Sequence, residues 1–397
     1  MPQKPTLNRR RFLNAMGGTA AVFLPSLATP GFVRAATPQL RNGKILILVE
    51  LAGGNDGLNT VVPTDDDQYQ ALRPRIGIAK SDTLTLDAAT GLNPQMRGMA
   101  DLWEDGHLQI VEGVGYPNPN RSHFRSIEIW NAGTGSETYD STGWVSDAFS
   151  IAKPEALDAD GLVIGGEMGP LQGAGRFSAL RDLDGFGETL GYVDQGQHAV
   201  RPDLDPMAHV LSTYESTHLM GSHILAKLEA TQEKDWDFPY SELGWQLRNV
   251  ARLLDAGVDA PVFKVVQGGY DTHAWQRGTH DYLLGELSQA IGAFSKIMRD
   301  MGRWENVVVL TYSEFGRRAY ENGSEGTDHG TAAPVFIAGG GINPGRTGGR
   351  PMLDQLDQGD LVHSTDYRRL YAGLLRDLWQ LDDNPFAAQG FEGLKIT

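Results

Sequence analysis

Short segments rich in carboxylates and imidazoles recur along this chain, each beside a run of apolar residues. Asp56 follows Lys44–Glu50, Asp271 and His273 follow Val262–Val266, and Glu314 follows Val307–Tyr312. Asp328 and His329 stand shortly before the run Pro334–Ala338. Carboxylate oxygens and imidazole nitrogens together are the donors of a hard or borderline divalent cation. Short continuous apolar runs bounded by turn residues read as buried parallel strands, and open α/β sheets bind ligands at the strands' carboxyl ends. Residues hundreds of positions apart are therefore expected to meet at one metal-binding edge.

Each segment has its own chemistry. The glycines of Gly53–Asn59 permit a tight turn that places Asp56 at the strand end, as a metal ligand or in an Asx-turn. Ser122 falls where a helix N-cap belongs, and it is either that cap or a nucleophile toward a phosphate or sulfate held at the helix start. His123 beside it suits a metal ligand or a general acid. In Asp271–Thr272–His273 the alternate residues share one side of an extended backbone, where both reach one ion. Gln276 and His280 lie just beyond, in position to support those ligands. Glu314 suits a ligand, a base or the orienting partner of a histidine, and Arg317 either clamps an oxyanion or ties its loop. Asp328 and His329 complete the expected metal set with Asp56, Asp271 and His273. One or two divalent ions are expected, Zn where histidine dominates and Mn or Ca where carboxylates do. His363 and Asp366, near the last helix, are further candidate participants, His107 and His198 read as peripheral, and His209, His218 and His223 read as ordinary surface or packing residues.

The elements that must position these groups alternate. Strand-like runs at Lys44–Glu50, Leu108–Val114, Gly161–Ile164, Val262–Val266, Val307–Tyr312 and Pro334–Ala338 are separated by helix-period stretches, among them Pro94–Asp105, Thr279–Met301 and Asp366–Trp379. That alternation predicts a three-layer α/β fold, with a central, mostly parallel sheet and helices on both faces. Residues 207–254 carry helical periodicity without a strong strand and read as a helical insertion or cap.

Residues 1–36 are set apart from the fold at 37–397. Arg9 and Arg10 precede Arg11, Phe12 and Leu13, a weakly apolar stretch follows, and Val33–Arg34–Ala35 has the small-residue look of a cleavage site. This is the pattern of a twin-arginine export signal, with the translocase as partner during export and the periplasm or exterior as destination. Gly17, Gly18, Pro25 and Pro30 interrupt the stretch, so no stable membrane insertion is expected. The chain has no cysteine, which excludes disulfides, thiolate metal sites and a cysteine nucleophile. Its formal charge is -16, and loss of the first 35 residues, with five basic and no acidic groups, takes it to -21. Such a surface excludes nucleic acid as a partner and disfavours anionic membranes.

The ordered motifs Glu50–Asn59, Asn120–Phe124, Tyr270–His273, Ser313–Arg317 and Asp328–Gly330 resemble the exported bacterial family known as domain of unknown function 1501. That family is similar in turn to the alkaline phosphatase and sulfatase superfamily. The resemblance implies an alkaline-phosphatase-like fold, two metal positions at the sheet's carboxyl edge and a nucleophile at a helix start. Asp56, Ser122, Asp271 with His273, and Asp328 with His329 match the superfamily's order. The interval from Asp271 to His273 is shorter than in phosphatases, and the superfamily's last histidine has no clear counterpart unless His363 serves. Without cysteine or a Ser-x-Pro-x-Arg sequence at Ser122, a formylglycine-type sulfatase is disfavoured. The expected activity is metal-dependent hydrolysis of a small anionic ester, phosphate-type before sulfate-type, by Ser122 or water, with His123, Glu314 and Arg317 as catalytic groups. The alternative is a non-catalytic, metal-stabilised envelope or glycan-binding protein with Tyr116, Trp130, Tyr139 and Trp144 as a sugar platform.

Overall fold

Strand β1 (Ile45–Leu51) sends alternate side chains into two cores. Ile45, Ile47, Val49 and Leu51 enter one, and Leu46 and Leu48 the other. A strand buried on both faces is the mark of a sheet covered by helices on both sides. The computed structural model describes residues 43–152, 158–180, 183 and 219–397. The expected export segment at 1–36, with His198, His209 and His218, lies outside them. Among the described residues no helix is long and apolar enough to cross a membrane.

From β1 the chain passes through α1 (Gly57–Thr60) into a small antiparallel sheet of β2 (Val61–Val62), β4 (Thr90–Leu92) and β3 (Leu84–Asp87), with α2 (Asp67–Leu72) in between. The main sheet runs, in order, β11 (Gly345–Gly348), β5 (Leu108–Gly115), β10 (Ala333–Gly339), β9 (Val307–Tyr312), β1, β8 (Val262–Gln267), β6 (Gly161–Val163) and β7 (Phe177–Ala179). A further short strand, β12 (Thr365–Asp366), lies parallel to β5. All of these pairings are parallel except those of β10, which runs antiparallel to both β5 and β9.

One face of the sheet is covered by α3 (Arg97–Glu104), α6 (Glu242–Asp255) and α7 (Gln276–Asp300), through residues such as Met99, Leu247, Leu287 and Phe294. Helical residues 219–229 add Met220 and Ile224 to the same core, so the described part of the segment 207–254 packs on this face. The other face is covered by α4 (His123–Ala132), α5 (Trp144–Ile151) and α8 (Tyr367–Trp379). Here the structure corrects the sugar-platform expectation. Tyr116, Trp130 and Trp144 are core residues, Trp130 stacked on Tyr367 at 4.4 Å and Trp144 on Tyr371 at 4.3 Å. Only Tyr139 of the four is exposed, and it lies under the Arg125 guanidinium. Burying an indole against other rings removes far more apolar surface from water than leaving it at a rim, which is why core packing wins.

Candidate metal centre

The direction of β10 decides where the site residues meet. β1, β5, β8 and β9 point the same way, so the loops after them leave from one edge. Because β10 runs the other way, its amino end lies at that same edge, and the loop before it, with Asp328 and His329, joins the loops that follow the parallel strands. The β1 and β8 loops touch closely. Gly53 has φ +121°, and a Cβ there would stand 2.4 Å from the main-chain nitrogen of Asp271. Gly54 has φ +80°, and a Cβ there would stand 2.4 Å from the Phe315 ring. Only glycine meets both the backbone conformation and the space.

At this edge imidazoles converge on the Asp271 carboxylate. Asp271 Oδ1 lies 2.9 Å from His273 Nε2, 3.1 Å from His329 Nε2 and 3.4 Å from His123 Nε2. His273 Nε2 and His329 Nε2 are 2.9 Å apart. The ligand atoms of His123, Asp271 and His329 all lie within 4.8 Å of one another. The outer nitrogen of each ring faces an oxygen acceptor. His123 Nδ1 lies 2.7 Å from Glu314 Oε1, His329 Nδ1 is 2.8 Å from the Arg121 carbonyl, and His273 Nδ1 is 3.5 Å from Asp328 Oδ1. A carbonyl can only accept, so His329 Nδ1 carries the proton and its Nε2 presents a lone pair. A carboxylate beside Nδ1 favours the same tautomer at His123 and His273. Lone pairs are thus aimed at an ionised carboxylate, an arrangement that a proton or a metal cation relieves.

This donor set fits a divalent cation. Nitrogen and oxygen donors bound at about 2.0–2.1 Å in a tetrahedral zinc site stand about 3.3–3.4 Å apart. The separations of His123 and His329 from Asp271, 3.4 and 3.1 Å, are of that size. The buried Nε2 of His123 has no hydrogen-bond partner, which is the state of a nitrogen kept for a ligand. A carboxylate or carbonyl behind each imidazole is the outer shell that metal-bound histidines use to fix their tautomer.

Electrostatics follow from the same contacts. Partial burial would raise the Asp271 pKa, but the hydrogen bond and charge of Arg317 at 2.7 Å lead the opposing effects, and the group is held at about 2. The hydrogen bond to Glu314 raises His123 above the ordinary imidazole value against the effect of burial. Glu314 is itself buried and accepts from the Gly53 N–H at 2.9 Å. Phe315 closes the floor, its ring centroid 4.9 Å from that of His123 and 4.6 Å from that of His329.

The remaining expected site residues are placed differently. Arg317 is buried, and it donates to the carbonyls of Gly54 at 2.7 Å, Thr327 at 2.9 Å and Tyr270 at 2.9 Å, to that of Gly53, and to Asp271. Its donors bind three loops together, and the fork is not turned outward as an anion clamp would be. Asp56 is not brought into the cluster. Its carboxylate meets Arg73 at 2.6 Å, the Gln276 amide and the Leu58 N–H, the last as cap of α1. Burial would raise the Asp56 pKa, and the Arg73 charge and hydrogen bond reverse that to a net lowering. Ser122 occupies the N-cap of α4 without any side-chain capping bond, and it is exposed. It stands between Arg121 and His123, both tied to the cluster. His363 is half-buried, and burial lowers its pKa; it is not in the metal-ligand group found among the described residues. Sequence reasoning did not single out Arg73 or Asn322, whose Nδ2 donates to the His273 carbonyl at 3.0 Å and Asp328 Oδ1 at 3.2 Å.

The family described as a protein of unknown function (DUF1501) matches residues 187–386, half of the chain. The chain belongs to this family. No curated protein matches this DUF1501 chain. Among solved structures, the DUF1501 protein is similar to one described as a protein in the alkaline phosphatase superfamily from Vibrio parahaemolyticus, at 12% identity and TM-score 0.41, covering 86% of this chain and 68% of that one. It is similar to the PsFucS1 sulfatase from Pseudoalteromonas sp., at 10% identity and TM-score 0.37, covering 88% and 70%. It is also similar to the C-terminal periplasmic domain of EcEptC from Escherichia coli, solved in complex with Zn, at 8% identity and TM-score 0.36, covering 77% and 78%.

Proposed function

We propose that the protein is an exported, metal-dependent hydrolase of phosphate-type esters. The observation that carries this reading is the convergence of His123, His273 and His329 on Asp271, each ring backed by an acceptor at its outer nitrogen. These four residues would hold the ion. Bound there, a divalent cation supplies Lewis acidity that polarises the ester oxygen and lowers the pKa of the attacking group.

The chain's own groups do the rest. Glu314 and the Arg121 carbonyl keep His123 and His329 in the tautomers that present Nε2 inward, and Asp328 does the same for His273. Arg317 keeps Asp271 ionised and joins the loops. The N-terminal turn of α4 directs unpaired N–H groups toward an anion placed beside Ser122. The Ser122 hydroxyl would attack phosphorus and give up its proton to solvent as the ester P–O bond breaks, and the leaving alkoxide would take a proton from water; a second water would then hydrolyse the phosphoserine, releasing phosphate and restoring the serine hydroxyl. Support for Ser122 is its exposed hydroxyl, free of any capping bond at the start of its helix. The glycan-binding alternative loses three of its four platform residues to the core.

The test is elemental mass spectrometry on the exported protein, together with turnover of aryl phosphates and sulfates, for wild type and for an Asp271→Ala, His329→Ala double variant. One or two equivalents of Zn, Mn or Ca, lost with turnover in the double variant, are expected. Ser122→Ala should abolish turnover while leaving metal content unchanged; retained turnover would assign the attack to water. A folded wild type that takes up no divalent metal and gains no thermal stability from added ions sinks the reading.

A further inference from the structure

Gln276, the first residue of α7, is fully buried, and both ends of its amide are engaged. Its Nε2 donates to Asp56, and its Oε1 accepts from Thr272 Oγ1 at 3.2 Å and from Thr327 Oγ1 at 2.5 Å. The two threonines are the chain neighbours of the cluster. Thr272 stands between Asp271 and His273, and Thr327 immediately precedes Asp328 and His329. The main chains of the two threonines also meet, the Thr327 N–H donating to the Thr272 carbonyl at 3.3 Å. The backbone of Gln276 is pinned to the loop before Thr327, its N–H donating to the Glu325 carbonyl at 2.9 Å.

On the far side, Asp56 is held by Arg73, which also donates to the Ala319 carbonyl at 2.8 Å and the Arg318 carbonyl at 2.9 Å. The Gln276 amide therefore sits at the centre of a buried set of hydrogen bonds that reaches both ligand-bearing loops. Its chemistry there is specific. A primary amide donates to a carboxylate and accepts from two hydroxyls at once, whereas an ionised glutamate has no donor, a lysine no acceptor and a methionine neither of useful strength.

We infer that Gln276 is a positioning residue for the metal centre. Through Thr272 and Thr327 it sets the spacing between the loop of Asp271 and His273 and the loop of Asp328 and His329. Asp56 acts through Gln276, as the buried anchor of that amide, and not as a donor to the ion. The inference rests on the metal-dependent reading of the cluster, and it adds what keeps the donors of two separate loops in register to within a few tenths of an ångström, the tolerance such sites demand.

The test uses the folded chain loaded with Co²⁺, whose visible spectrum reports the geometry of its donors, and a chelator competition for its dissociation constant. Gln276→Met removes the amide, Thr327→Val removes one hydroxyl, and Thr327→Ser keeps it. Gln276→Met and Thr327→Val are expected to weaken Co²⁺ binding about 10- to 100-fold and to shift the visible bands, while Thr327→Ser retains the wild-type spectrum and affinity. Should Gln276→Met fail to fold, the two Thr327 variants decide alone. Wild-type spectra and affinities in Gln276→Met and Thr327→Val, with Co²⁺ still bound, would overturn the inference and leave the metal site standing. A wild type that binds no Co²⁺ overturns both.

Discussion

Glu314 holds His123 by the nitrogen that faces away from the cluster, and that one bond sets both the tautomer of the ring and its basicity. Glu314→Gln keeps the shape and removes the charge. The hydrogen bond to Glu314, the main cause of the raised His123 pKa, is thereby weakened, so the midpoint should fall toward the ordinary value near 6.5. Proton NMR of the metal-free variant reads that midpoint directly. Metal affinity should fall about 10- to 100-fold, as for other residues that back a ligating histidine, and an unchanged midpoint would mean that Glu314 does not govern the ring. At this scale the sequence displayed donor types well and allegiances poorly. His123, Asp271, His273, Glu314, Asp328 and His329 were visible as chemistry because carboxylates and imidazoles stand beside apolar runs. Nothing local told that Arg73, 17 positions from Asp56, would claim that carboxylate. The acceptor behind His329 is a main-chain carbonyl, which no residue type encodes.

The loops come together because strand direction puts their ends at one edge. The apolar runs were enough to locate β1, β5, β8, β9 and β10, since a strand buried on both faces must be apolar throughout. Direction was not legible: the run Pro334–Ala338 reads the same whether it pairs parallel or antiparallel, and only the antiparallel pairing brings the residues before it to the site. Short strands such as β2, β7, β11 and β12 have two to four residues, too few to show a period. The tight approach of the β1 loop to its neighbours yields a prediction for the elements. Gly54→Ala places a Cβ on a backbone with φ +80° and 2.4 Å from the Phe315 ring. Strain of this kind costs about 1–3 kcal/mol, read as a lower midpoint in urea unfolding. Because Phe315 packs on His123 and His329, metal affinity should fall with it; a variant with wild-type stability and affinity would show that the loop relaxes freely.

Two questions belong to the whole molecule, the proposed route out of the cell and the stability as pH falls. Arg9→Lys with Arg10→Lys keeps every charge and removes the twin-arginine pair, so a cytoplasm-retained precursor is expected on fractionation; normal export would refute the proposed route. The pH dependence turns on His280, buried in α7, where burial lowers its pKa to about 4 despite the charges of Asp56 and Asp281. Its Nε2 lies 2.9 Å from Asn55 Oδ1, an acceptor, so the neutral ring donates there. In the unfolded chain the ring takes a proton near pH 6.5, and in the folded chain only near pH 4. Between these values the unfolded state binds more protons, so unfolding becomes easier as pH falls from about 6.5 to about 4 and the loss levels off below that. The difference corresponds to about 3 kcal/mol. Protonation of surface carboxylates over the same range relieves the repulsion of a chain carrying -16 and acts in the opposite direction. The two effects are separated by His280→Gln, which keeps a donor for Asn55 and removes the titration. Its disadvantage relative to wild type, measured by chemical unfolding of metal-free protein, should be largest near pH 7 and shrink by about 3 kcal/mol by pH 4. A disadvantage that stays constant across this range would mean that His280 titrates alike in the folded and unfolded chains, and that acid acts on the fold through other groups.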